Sequence, residues 1–199
     1  MIETAAAVLQ FWFGDAGDDA AVEKRQSRLW WSGRREDDAA IRERFVDTHR
    51  AAMAGTLDAW LREPRGRLAL ILVADQFSRA MFRGTPQAFA ADALARRWVL
   101  EGIAAGDDCA LRPIERVFYA LPLEHSESRE HQQQSVAYLE SLIKAAPMLR
   151  ETLDGYLDYA RRHRDIVERF GRFPHRNAVV GRVSTPEEVE FLEQPGSSF

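Results

Sequence analysis

Three groups of polar side chains interrupt otherwise apolar stretches of this chain, and together they hold most of its chemistry. The first is Asp75, Gln76, Arg79 and Arg83. Asp75 precedes Arg79 by four positions, the favourable order for an ion pair on a helix, and both are in phase with Leu68, Ile71 and Leu72. Charge at the end of a buried stripe must be paired internally or line a cleft, and either reading fits. The second is Tyr119, Glu124, His125 and Ser126. Glu124 and His125 form an acid/base couple at a corner, although adjacent residues point in different directions and turn chemistry accounts for part of the pattern. The third is His163 followed by Arg172, His175, Arg176, Asn177 and Arg182. A histidine on an apolar face is more often a satisfied core residue than a ligand. The guanidinium groups are planar, bidentate donors suited to a phosphate or carboxylate.

Other chemistries find less support. Metal binding needs several convergent His or carboxylate ligands, and Glu124, His125, His163, Asp165 and His175 follow no metal-ligand spacing, so no metal is expected. Ser78, Ser126 and Ser184 lack a nucleophile elbow, and there is no phosphate-binding glycine loop or dinucleotide fingerprint. The cofactor is left unknown by these residues. Cys109 stands alone, which excludes a disulfide framework and suits a reducing cytoplasm. The net charge of −4 argues against a nucleic-acid partner. No apolar run approaches the roughly 18 residues of a membrane span, and the first residues do not form a signal peptide.

The elements that must position these groups read as helices. Thr4 caps a helix ending near Phe13, and residues 18–31 form a second, stopped at Gly33. A third opens at Asp37 with a stripe of Ile41, Phe45 and Ala52. Thr56 caps a short segment to Arg62. Residues 67–82 are apolar all round at first and predict a central buried helix. Thr85 caps a helix over 86–105, and Pro113 starts one that Pro122 breaks. Ser126 is placed to cap the next, over 127–145. The last long helix, 148–170, carries a stripe of Tyr156, Tyr159, His163, Ile166/Val167 and Phe170. Gly171 suits a left-handed stop, and Thr185-Pro186-Glu187-Glu188 restarts a helix with a capping box. The expectation is one all-α domain over 1–193, nine or ten helices stacked as antiparallel hairpins without a sheet, then a frayed tail over 194–199. No repeat is legible in the sequence.

Three segments carry a resemblance: Leu9-Gln-Phe-Trp-Phe-Gly14; Asp75-Gln-Phe-Ser-Arg-Ala-Met-Phe-Arg-Gly-Thr-Pro86; and Phe170-Gly-Arg-Phe-Pro-His-Arg-Asn177 with Gly181-Arg-Val-Ser-Thr-Pro-Glu-Glu188. They look like the signature segments of the bacterial domain-of-unknown-function 924 family. The resemblance implies a tetratricopeptide-like all-α fold and no assigned activity. It also implies that the three polar groups are the family's own motif positions.

Two functions follow as expectations. In the first, the groups converge on a small anionic ligand. Arg79, Arg83, Arg172, Arg176, Arg182, His125, Asn177 and Tyr119 bind it, His163 or His175 is the acid/base, and Asp75 or Glu124 orients it. Trp12, Phe13 and Tyr119 would wall such a cleft. In the second, stacked hairpins present a groove to a peptide or protein, and the Arg/His loop is an internal staple.

Overall fold

The computed structural model describes residues 1–15 and 17–198. Ten α-helical segments occur in order: α1 (Ala5–Phe13), α2 (Asp19–Trp31), α3 (Arg35–Met53), α4 (Pro64–Leu72), α5 (Ser78–Met81), α6 (Asp92–Ala105), α7 (Pro113–Glu124), α8 (Arg129–Ala145), α9 (Arg150–Phe170) and α10 (Pro186–Leu192). A π turn, Val73–Phe77, joins α4 and α5 into one rod, which leaves nine helices among the described residues. The fold is all-α, and no strand occurs among those residues. None of their helices is long and apolar enough to cross a membrane.

Local chemistry sets most boundaries. The Thr4 hydroxyl accepts from the Ala7 N–H, and the Thr185 hydroxyl from that of Glu188, whose carboxylate answers the Thr185 N–H at 2.8 Å. Pro64, Pro113 and Pro186 each occupy a first helical turn. Gly171 takes the left-handed conformation (φ 70°) that ends α9.

Several boundaries differ from the sequence expectation. The Thr85 hydroxyl donates back to the Phe82 carbonyl, so residues 86–105 divide into a 3₁₀ turn, Pro86–Phe89, and α6. Thr56 likewise donates to the Ala51 carbonyl and caps nothing. Pro122 does not break α7, which continues to Glu124 because its last turn is packed on all sides. Ser128, not Ser126, caps α8; the Ser126 hydroxyl is engaged instead by His131 Nδ1 at 2.9 Å. The buried stripe of α9 is Leu153, Leu157, Ala160, His163, Ile166 and Val167, while Tyr159 stays 52% exposed. In the expected tail, Ser197 is buried and donates to the Leu192 carbonyl, and Arg162 donates to that of Gly196; Phe199 lies outside the described residues.

Packing follows from the wholly buried run Leu68–Ala74. Its α4 rod takes α1, α6 and α7 against it, and α3 packs on the π turn and α5. A dense aromatic set (Trp12, Phe13, Trp30, Phe45, Phe77, Phe118) fills this larger core with edge-to-face and tilted contacts. A smaller core lies between α8 and α9, with Leu139, Leu142, Leu153 and Leu157. Helix α7 serves both, giving Phe118 to the first and Val117 to the second. The seam between the two cores contains a cavity.

Candidate functional site

The π turn delivers Asp75. An extra residue in a helical turn changes the direction of the side chains beyond it, and such turns recur at working sites. Asp75 is 1% exposed yet fully bonded. Its Oδ1 lies 2.8 Å from His125 Nδ1 and 2.9 Å from Arg79 Nη1, and its Oδ2 accepts from Gln76 Nε2 at 2.6 Å. Burial pushes the carboxyl up, but Arg79 and His125 outweigh it and hold the group well below the usual carboxylate range. An ionised carboxylate can only accept, so His125 Nδ1 carries the proton and Nε2 keeps the basic lone pair. Burial, helped by Arg79, pulls the imidazole below its ordinary value against the upward pull of Asp75. His125 is therefore a neutral, oriented base at neutral pH.

Arg79 and Arg176 differ in how their charge is met. Arg79 makes a bidentate pair with Asp92, at 2.9 and 3.1 Å, besides its contact with Asp75. Arg176 donates to the His125 carbonyl at 2.9 Å and lies 3.8 Å from Asp92 Oδ2, which Arg79 already binds, while Glu127 and Asp75 act on it from further away. It is 8% exposed, its Nε has no acceptor among the described residues, and its guanidinium lies 4.4 Å from the Phe173 ring centroid and 4.9 Å from that of Phe89. Burial and the like charge of Arg79 draw its pKa down to about 10.

Beside them stand Glu124, His163 and His175. Glu124 Oε1 is 3.1 Å from His163 Nδ1, which donates to the Tyr159 carbonyl at 2.9 Å. Burial and the Asp75 charge raise the Glu124 carboxyl to about 8, so it is protonated at neutral pH. Burial drops His163 to about 3, and burial with Arg176 drops His175 to about 4. The His125 and His163 rings are 6.3 Å apart. One wall thus combines a neutral base, a neutral acid and a poorly compensated cation.

The seam cavity has a volume of about 1030 Å³. Gln76, Arg79, Glu124, His125, His163, His175 and Arg176 line it, and Asp75 stands behind them. Among the described residues, no three His, Cys, Asp or Glu side chains gather so as to hold a metal ion.

Comparison with known proteins adds relatives of unknown function. Residues 8–196 match the family described as "Bacterial protein of unknown function (DUF924)". The chain belongs to this family. A solved structure of a protein of unknown function, ATU0120 from Agrobacterium tumefaciens, has a TM-score of 0.80 and 38% identity, over 96% of this chain and 97% of that one. No curated protein matches.

In this DUF924 chain the Arg/His loop divides into two parts. Its 3₁₀ turn, Pro174–Arg176, turns His175 and Arg176 to the cavity. Arg172, Asn177 and Arg182, expected at the ligand, lie outside it. Arg172 binds Glu188 at 2.6 and 2.7 Å, and Asn177 Nδ2 donates to Ser184 and Glu188. Arg182 binds Glu127 at 2.7 and 2.9 Å. Carboxylates of the same chain occupy both guanidinium forks. Tyr119 and Phe13 are core residues away from the cavity, Tyr119 lying against Gly102. Arg83 reaches the rim, held by Asp38 at 2.6 and 2.8 Å. Trp12 does line the wall. Asp92, the partner of Arg79, was not among the sequence candidates. Its only sequence signal is an acid in the first turn of α6. The walls from Trp30, Trp31, Phe89 and Tyr156 had none beyond their aromaticity.

Proposed function

We propose that this protein binds a small acid, bearing a carboxylate or phosphate, in the seam cavity, and that His125 serves there as a general base. The observation that carries the reading is Arg176. A guanidinium that is nine-tenths buried, with its nearby carboxylate already committed to Arg79, is stabilised by an anion from outside. Asp75 fixes the tautomer of His125 and would stabilise the imidazolium formed when Nε2 takes a proton. Glu124, held neutral, is the complementary acid. The packed pairs α7–α8 and α8–α9 support a tetratricopeptide-like reading of the second half, and the lone Cys109 suits a cytoplasmic setting.

The test is a thermal-shift series with inorganic phosphate, acetate and citrate on wild type, Arg176→Met and Arg172→Met. Anion-dependent stabilisation of wild type that Arg176→Met loses and Arg172→Met keeps is the expected result. An equal response in Arg176→Met, or a loss confined to Arg172→Met, would refute the site.

A further inference from the structure

We infer that the ligand is an elongated amphipathic acid, its anionic head at Arg176 and its apolar body against Trp30, Trp31 and Tyr156. This rests on the anion-binding reading above and adds the class of molecule. The first observation is size. A cavity of about 1030 Å³ far exceeds a phosphate or a short carboxylate and lies at the upper end for pockets that enclose a whole organic ligand.

The second observation is direction. Tyr156, Tyr159 and His163 all line the cavity from α9. At 1.5 Å per residue, Tyr156 and His163 are roughly 10 Å apart along the helix axis. The cavity therefore runs two helical turns, from the acid/base wall to an aromatic one.

The third is the character of the far wall. Trp31 is 48% exposed but firmly placed, stacked on Phe118 at 5.6 Å with 12° between the rings and 5.8 Å from Tyr156. Trp30 turns its own N–H to the Trp12 carbonyl at 2.9 Å, so its ring contributes apolar surface. Val117 and Leu139 complete this side. A rigid indole left half exposed inside a concavity gains by covering with an apolar body. Polarity is set as well. Glu23, whose charge acts on Tyr156, and Glu151, in the first turn of α9, also line the cavity and repel an anion from that end, while Arg34, on the same lining, is paired with Glu36 and Asp37.

Calorimetric titration at pH 7 with butanoate, octanoate, octyl phosphate and octanol tests this. The wild-type chain-length series decides without any variant. Octanoate should bind at least ten-fold more tightly than butanoate, since each fully buried methylene strengthens binding by about four-fold. Octanoate against octyl phosphate tells the two heads apart. Trp31→Ala, with Trp31→Leu as the milder alternative, should weaken octanoate about ten-fold and leave butanoate within two-fold. Equal affinity for butanoate and octanoate, both lost in Arg176→Met, would overturn the amphipathic ligand and leave the anion site standing. Octanol binding as tightly as octanoate, octanoate unaffected by Arg176→Met, or no binding of any acid would overturn the anion site and this inference with it.

Discussion

Replacing Arg176 with methionine should remove ligand binding while leaving the fold nearly as stable as before. The magnitude follows from its surroundings. A pKa drawn down to about 10 means that the charged form is penalised in the folded protein, by about 3 kcal/mol. The penalty is in full force at every pH below 10, because the charged form is the disfavoured one. Methionine relieves it. Against that, the variant loses a charged hydrogen bond to the His125 carbonyl, about 1.5–3 kcal/mol, and cation–π contacts with Phe173 and Phe89, about 1–2 kcal/mol. The thioether restores part of the aromatic contact. The sum lies within about 2 kcal/mol of zero. Arg79→Met is the contrast. It breaks a bidentate pair with Asp92 and strands Asp75, so about 3–5 kcal/mol should be lost. Urea denaturation of both variants at pH 7, followed by tryptophan fluorescence and compared at equal m-values, measures the difference. If Arg176→Met loses more than about 4 kcal/mol, or as much as Arg79→Met, Arg176 is an internal ion-pair member and the argument for an external anion fails.

Three further outcomes follow from the same geometry. Glu124 has a folded pKa of about 8 against an ordinary 4.5, so its contribution is fully present below pH 4.5 and is lost as pH rises through 8. His163 and His175, whose pKa values lie below the ordinary one, gain stability over the same range. The readout is therefore the difference between wild type and Glu124→Gln in urea denaturation, which should shift against wild type by on the order of a few kcal/mol from pH 5 to pH 8. Glu127→Ala frees Arg182 and the Phe173 N–H and should lower stability by about 1–2 kcal/mol in the same assay, with anion affinity unchanged within two-fold. Gly102→Ala places a Cβ onto the Tyr119 hydroxyl and 2.6 Å from Arg67 Cδ, and should cost about 1–3 kcal/mol, read as a lower melting temperature.

How much of this was legible in the chain differs between fold and site. Thr4, Pro113, Gly171 and the Thr185–Glu188 box announce helix ends because capping is settled within four or five residues, whereas Pro64 reads as a break and in fact opens α4. The apolar run at Leu68–Ala74 announces the central rod, since only full burial tolerates a helix without a polar face. Pro122 misleads, because local propensity yields to packing on both sides of α7. The site is another matter. The sequence by itself determined which groups were available: an aspartate before an arginine, a Glu-His pair, and a loop crowded with guanidinium groups. Only the tertiary structure decided that Arg182 meets Glu127 and Arg172 meets Glu188, while Arg176 is left facing a cavity. It also set Asp75 against His125, 50 positions away, and aligned Trp31 with Tyr156 along one wall. Each guanidinium is chemically the same, and which one finds a carboxylate depends on the packing of helices remote in sequence, for which no local pattern exists.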